Sequence, residues 1–187
     1  MVTSSIVAKP LSHAEAPPAD PVESRLEQLI EREFAFVWRL LRRVGVTEDD
    51  ADGAAEQVFI AVARRLPDIR LGNERAFLIG TALHVAARSR RTSESAAVVG
   101  PLASSLADSS EARHACALLD ALLQQLPFEL RVVFVLFEIE QLSTPEIAQV
   151  VGVPLDAVNA RLSRARDEFS ELTKHLEASA PAGAADE

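Results

Sequence analysis

Tyrosine is absent from this chain, and tryptophan, cysteine and methionine occur once each among 187 residues. A single thiol, Cys116, excludes a disulfide framework and a thiolate zinc site and fits a reducing compartment. No histidine and acid are arranged around it as a catalytic thiol needs, so a buried structural thiol is the expected role. The four histidines, His13, His84, His114 and His175, include no pair at the i, i+4 ligand spacing, and no metal site or other cofactor is expected. Seven glycines are too dispersed to form a phosphate-cradling loop. No apolar run nears the roughly 20 residues of a membrane-spanning helix. The stretch from Met1 to Pro21 also lacks an apolar core of signal-peptide length. The expectation is a cytoplasmic protein without membrane insertion. Carboxylate pairs between Glu48 and Glu56 offer the one route to an enzyme, and a non-enzymatic protein is expected.

What is present favours helices. Leu, Ala, Val, Arg and Glu dominate, the aromatic residues that strands favour are few, and no alternating pattern occurs. The expected fold is all-α: two small helical domains joined by a flexible linker, the second ending in a helix-turn-helix. Proline and serine mark the boundaries. Pro10, Pro17, Pro18 and Pro21 lie in a flexible lead over 1–24. Six serines flank Gly100-Pro101 in a linker over 92–111, and 178–187 form an unpatterned tail.

In the first block, 25–91, the steps Leu26, Leu29, Ile30, Phe34, Val37, Trp38, Leu41 and Val44 mark the apolar face of a long helix ended near Gly45. Thr47 before Glu48, Asp49 and Asp50 reads as an N-cap with acids in the first turn. That helix turns Val58, Phe59, Val62 and Leu66 inward and stops before Pro67; a third, possessing Phe77, Leu78, Thr81, Ala82, Val85 and Ala86 on one side, ends in Arg88, Arg90 and Arg91. In the second block, 112–177, a Leu-rich helix stops at Pro127 and another follows through Phe137. Ser143-Thr144-Pro145-Glu146 has capping-box spacing. Ala148, Gly152 and Val158 then fit a helix-turn-helix: a small residue admits the second helix, glycine supplies positive φ, and a β-branched residue locks the pair.

The net charge of −9 argues against indiscriminate coating of nucleic acid, but the charges are segregated. Residues 46–57 hold five acids (48, 49, 50, 52, 56) and no base, whereas residues 64–91 hold seven arginines against Asp68 and Glu74. The last helix offers Asn159, Arg161, Ser163, Arg164 and Arg166; arginine can read guanine edges or phosphates and asparagine can read adenine. A helical hairpin with a solvated arginine face would use the same residues, so that alternative stays open.

Taken in order, these motifs resemble bacterial RNA polymerase sigma factors of the extracytoplasmic-function (ECF) class in the sigma-70 family. Asp50-Ala51-Asp52, Glu56-Gln57-Val58-Phe59, Arg64-Arg65-Leu66-Pro67, Ala76-Phe77-Leu78 and Arg88-Ser89-Arg90-Arg91 are similar to region 2. Leu126-Pro127, Arg131-Val132-Val133-Phe134, Glu146-Ile147-Ala148, Gly152-Val153-Pro154 and Arg161-Leu162-Ser163-Arg164-Ala165-Arg166 are similar to region 4. The resemblance implies a protein that joins core RNA polymerase and directs promoter recognition and transcription initiation. It places polymerase-clamp contacts at Asp49, Asp50, Asp52, Glu56, Gln57 and Phe59, and a polymerase-flap contact in region 4. It places the downstream (−10 type) element at Arg70, Arg75, Arg88, Arg90, Arg91 and the loop 67–73. The upstream (−35 type) element falls to Asn159, Arg161, Ser163, Arg164 and Arg166. Promoter DNA and, as is frequent in the family, an anti-sigma factor are the further partners implied. The sequence departs from the family pattern at Leu83, His84 and Ala87 in the downstream reader and at Asp156, Ala157 and Asn159 in the upstream one. The alternative is a sigma-like helical adaptor, or a helix-turn-helix regulator, without initiation activity.

Overall fold

A computed structural model describes residues 21–95 and 111–179. Most of the expected lead, linker and tail therefore lies outside the described residues. Seven α-helices and no strand occur among the described residues: α1 (Pro21–Val44), α2 (Glu48–Ala63), α3 (Glu74–Ser95), α4 (Glu111–Gln125), α5 (Phe128–Phe134), α6 (Thr144–Val151) and α7 (Leu155–Ser179). A 3-10 turn at Leu66–Asp68 precedes α3, and a π-helical turn at Val135–Ile139 follows α5. The all-α expectation holds. Its boundaries shift: α1 starts inside the expected lead, α3 and α4 reach into the expected linker, and α7 runs past 177.

Local chemistry accounts for the helix ends. Thr47 caps α2, its hydroxyl accepting from the Asp50 amide at 3.3 Å. Ser143 and Glu146 form the reciprocal capping box of α6, with the Ser143 amide donating to Glu146 at 2.8 Å. Gly152 closes α6 in the left-handed region at φ 74°, and the amides of Gly152 and Val153 both return to the Ala148 carbonyl. That closure sets the angle between α6 and α7, which Ile147, Val158, Leu162 and Ala165 then lock by burial.

The helices α1, α2 and α3 pack mutually, and α4 to α7 form a second group centred on α5 against α7. The two groups are not apart. α4 and α5 lean on α1, α6 leans on α3, and the buried side chains of both groups belong to one continuous core.

Three expectations about the core need correction. Phe34, read as inward, is 40% exposed and stacks on Phe59, while Phe36 and Leu40 are buried instead. Trp38 is half-buried and donates its indole N–H to Asp52 at 2.9 Å. Cys116 is exposed on α4, not a buried structural thiol.

Two glycine replacements should act with opposite signs. Gly53 sits inside α2, exposed, with open space where a Cβ would go. Gly53→Ala should raise stability by about 0.5–1 kcal/mol through helix propensity. Gly152→Ala also meets no neighbour, yet it should cost about 1 kcal/mol because of its positive φ. Urea unfolding should report both as midpoint shifts at constant m-value; equal signs would contradict the helix-turn-helix closure.

Candidate nucleic-acid interface

The acids of α2 form a stripe. Asp49, Asp52, Glu56 and Ile60 follow one another by three, four and four residues along one helix face. All are exposed, Ile60 at 45%. Asp50 receives the Thr47 hydroxyl at 2.8 Å, and Asp52 receives Trp38, so these two carboxylates are oriented by neighbours. Gln57 is exposed, whereas Phe59 is buried and contributes as packing beneath Phe34. The half-exposed Phe34 and the exposed Ile60 give this acidic face an apolar element that its charge pattern did not announce. Such a face suits a partner that is basic at its rim and apolar at its centre.

Between α2 and α3 the chain turns through residues 64–73, and long-range polar contacts hold this loop. Arg25 of α1 donates to the carbonyls of Leu66 (3.0 Å) and Ile69 (2.9 Å) and to the Glu74 carboxylate (2.6 Å). Glu74 in turn accepts from the Gly72 amide at 2.6 Å. The hydrogen bond from Arg25 is the main reason the Glu74 carboxyl lies below its ordinary pKa; burial opposes the shift without cancelling it. At the tip of this held loop stands Leu71, 82% exposed. Arg70 is exposed beside it. A rigid loop offering an apolar side chain and a cation can receive a base face and its phosphate.

Of the other downstream candidates, His84, Arg88 and Arg91 are exposed along one side of α3, with Ala87 half-buried and Leu83 buried. Arg75 and Arg90 are engaged within the protein. Arg75 lies over the Phe36 ring at 4.2 Å and 3.8 Å from Glu140, and Arg90 lies over the Phe128 ring at 4.9 Å. The five arginines therefore do not form one patch.

On α7, the helical period divides the upstream candidates into two flanks. Asn159, Ser163 and Arg166 lie on one, Arg161 and Arg164 on the other. Asn159, Ser163, Arg164 and Arg166 are exposed. Arg164 pairs with Glu168 at 3.7 Å, and Arg166 reaches Glu138 at 2.7 Å and covers the Phe137 ring at 5.1 Å. Arg161 is half-buried and pairs with Glu129 at 2.8 Å. Asp156, exposed in the first turn, and Asp167 place negative charge near the Asn159 flank. The acid suits the helix dipole but repels a phosphate approaching that end.

Among the described residues, no group of histidine, cysteine and carboxylate side chains is placed to hold a metal ion. No described helix is long and apolar enough to cross a membrane.

Residues 116–169 match the family model described as Sigma-70, region 4. No curated protein sequence matches the chain. Among solved structures, CnrH, determined in complex with the cytosolic domain of CnrY, superposes with a TM-score of 0.62 at 27% identity. That match covers 84% of this chain and 90% of CnrH. The sigma factor RpoE from Bartonella quintana, co-crystallised with the anti-sigma factor NepR, gives a TM-score of 0.66 over 81% of this chain and 98% of RpoE. Its identity is 16%, so that likeness is one of fold.

Replacing Glu74 by Gln should loosen the 66–74 loop. The sign follows from the lowered carboxyl pKa: the stabilisation is present above the unfolded value and is lost as pH falls through the folded one. The wild type should unfold later than Glu74→Gln at neutral pH, with the gap closing progressively below about pH 4.3. Faster hydrogen exchange at the Gly72 amide should accompany the change; a gap unaffected by acid would contradict the clamp.

Proposed function

We propose that this chain is a sigma factor of the ECF class in the sigma-70 family, which binds core RNA polymerase and directs promoter recognition and transcription initiation; the region 4 match and the likeness to CnrH support this. The observation that carries this reading is the α6–α7 helix-turn-helix. It lies within the segment matching region 4 and leaves polar and arginine side chains exposed on its second helix. The protein acts without chemistry of its own, in the cytoplasm, by lending the polymerase sequence preference.

In this reading the segments divide as 25–91 for region 2 and 112–177 for region 4. The α2 stripe of Asp49, Asp52 and Glu56, with Asp50 and Gln57 beside it and Phe59 supporting it, docks on the polymerase clamp. Region 4 also docks on the flap. The held loop 67–73, with Leu71 at its tip, receives an unstacked base of the downstream element. Arg70, Arg75, Arg88, Arg90 and Arg91 take the backbone phosphates. Unstacking a base costs a few kcal/mol, which stacking and charge contacts at the loop offset. Asn159, Arg161, Ser163, Arg164 and Arg166 engage the upstream element. The departures at Leu83, His84, Ala87, Asp156 and Ala157 assign this protein its own promoter preference and weaker melting. A partner that holds the protein inactive is part of the proposal, because RpoE was crystallised with an anti-sigma factor.

Run-off transcription with purified core polymerase and a promoter library tests the whole reading. Arg164 is 72% exposed in its side chain. Arg164→Ala should lower promoter-dependent transcription by about 5- to 150-fold, the range for one lost base contact, while leaving co-purification with core polymerase intact. Glu56→Lys should do the reverse, weakening co-purification first. Loss of core binding in the Arg164 variant would contradict the assignment. Holoenzyme affinity for promoter DNA should also fall steeply with salt as counterions are released; a flat dependence would favour the adaptor alternative.

A further inference from the structure

Cationic side chains gather where α3 passes α5, α6 and the first turns of α7. Gly80 of α3 lies against Val150 of α6, and beside that contact the helices leave a groove of about 390 Å³. Its volume falls within the range of small-ligand sites, roughly 300–1,000 Å³. Leu83, Phe128, Val132 and Val150, all buried or half-buried, give it an apolar floor. Three guanidiniums, Arg90, Arg91 and Arg161, share the lining with a single carboxylate, Glu129.

The state of each arginine bears on what the groove can hold. Arg90 lies over the Phe128 ring at 4.9 Å, which joins the cationic rim to the apolar floor. Burial holds the Arg131 pKa below its ordinary value and the charge of Arg90 adds to this, so Arg90 stands in a local excess of positive charge. Arg161 has Glu129 at 2.8 Å, but the Glu129 side chain is 68% exposed, and an incoming anion can take its place. Arg91 is exposed and makes no ion pair among the described residues. An apolar floor under such a rim is complementary to a small molecule with an apolar body and an anionic head. Guanidiniums pair bidentately with phosphate oxygens, and one phosphate can serve several of them at once. Among the described residues the lining has no amide or hydroxyl side chain to read a base or a sugar, which disfavours a nucleotide.

We propose that this groove binds a single-chain amphiphile with a phosphate head, its apolar body against Leu83, Phe128 and Val150 and its head among Arg90, Arg91 and Arg161. The effect of binding rests on the sigma-factor reading. In that reading the same three arginines serve promoter DNA, so the amphiphile and the promoter exclude each other and the small molecule lowers initiation.

Isothermal titration of the full chain with octyl phosphate, below the concentration at which it forms micelles, tests the site independently of transcription. Octyl phosphate should bind more tightly than butyl phosphate by roughly tenfold or more, since each buried methylene contributes about fourfold. Inorganic phosphate should bind weakest. Arg91→Ala should weaken octyl phosphate by about tenfold or more, as loss of a charge-assisted hydrogen bond does. Arg39→Ala, at an exposed arginine of α1 outside the groove, should leave it unchanged. Equal binding of the butyl and octyl esters overturns the apolar floor. An equal loss in both arginine variants, or in neither, shows nonspecific adsorption and overturns the site. Retention on phosphatidic acid vesicles without binding of octyl phosphate points to a membrane surface and overturns it too. In run-off transcription with core polymerase, octyl phosphate at about ten times its dissociation constant should cut initiation about tenfold at limiting protein, leaving elongation from preformed complexes unchanged. Undiminished initiation overturns the exclusion of promoter DNA. A chain that never initiates, yet binds octyl phosphate as described, overturns the sigma-factor reading and leaves the site standing.

Discussion

A guanidinium taken out of water needs acceptors for its donors, and helix ends supply carbonyls that their own helices leave unpaired. Arg131 gathers such carbonyls from two helices at once, Val44 at the end of α1 and Gln124 with Leu126 beyond α4. The positive charge also sits where both helix dipoles are negative. This one side chain therefore fixes α5 relative to α1 and α4. The path from α5 through its π-helical turn then sets where α6 and α7 stand against α3. The turn has a consequence of its own: an extra residue in the helical circuit displaces the following side chains. Glu138 and Glu140 emerge from it toward Arg166 and toward Arg43.

Sequence-local features were the legible ones. Thr47, the Ser143–Glu146 box, Pro127 and Gly152 mark helix ends because their chemistry acts within four residues. Family resemblance supplied the order of the two blocks, and the helix-turn-helix spacing supplied the geometry of the second. Contacts distant in the chain left no such mark. Arg25 and Glu74 are 49 residues apart, Arg131 and Val44 are 87, and Arg43 and Glu140 are 97. Each arginine could as well have been a solvated charge. The misreading of α1 has a related cause. That helix packs against α2 and α3 on one side and α4 and α5 on another, so its buried surface is wider than a single stripe. Phe36, under Arg75 of α3, and Leu40 are buried, and Phe34 falls at the edge. Cys116 misled for a simpler reason: cysteine is usually buried, and α4 happens to expose it.

The arginines of α7 are paired within the protein. Arg161, Arg164 and Arg166 each have a carboxylate within 4 Å, at Glu129, Glu168 and Glu138. The exposed pairs of Arg164 and Arg166 contribute little to stability, about 0–1 kcal/mol, because water and salt screen them. Phosphates can therefore displace these carboxylates at small cost, which is what a surface for transient polyanion binding requires. The pairs also keep an arginine-rich helix from attracting nucleic acid indiscriminately, in line with a chain whose net charge is −9.

Glu140 stands apart from those pairs because its side chain is nearly buried and two arginines share it. Removing one member of a buried ion pair is far more costly than exchanging an exposed partner, since the remaining charge is left without solvent. An outside anion thus displaces the partners of Arg164 and Arg166 more easily than that of Arg43. Arg75, more than half exposed and 3.8 Å from Glu140, is held less firmly than Arg43 at 2.9 Å. The exposed pairs therefore respond to ionic strength far more than the nearly buried one does. The acidic stripe on α2 lies outside this contact and is exposed.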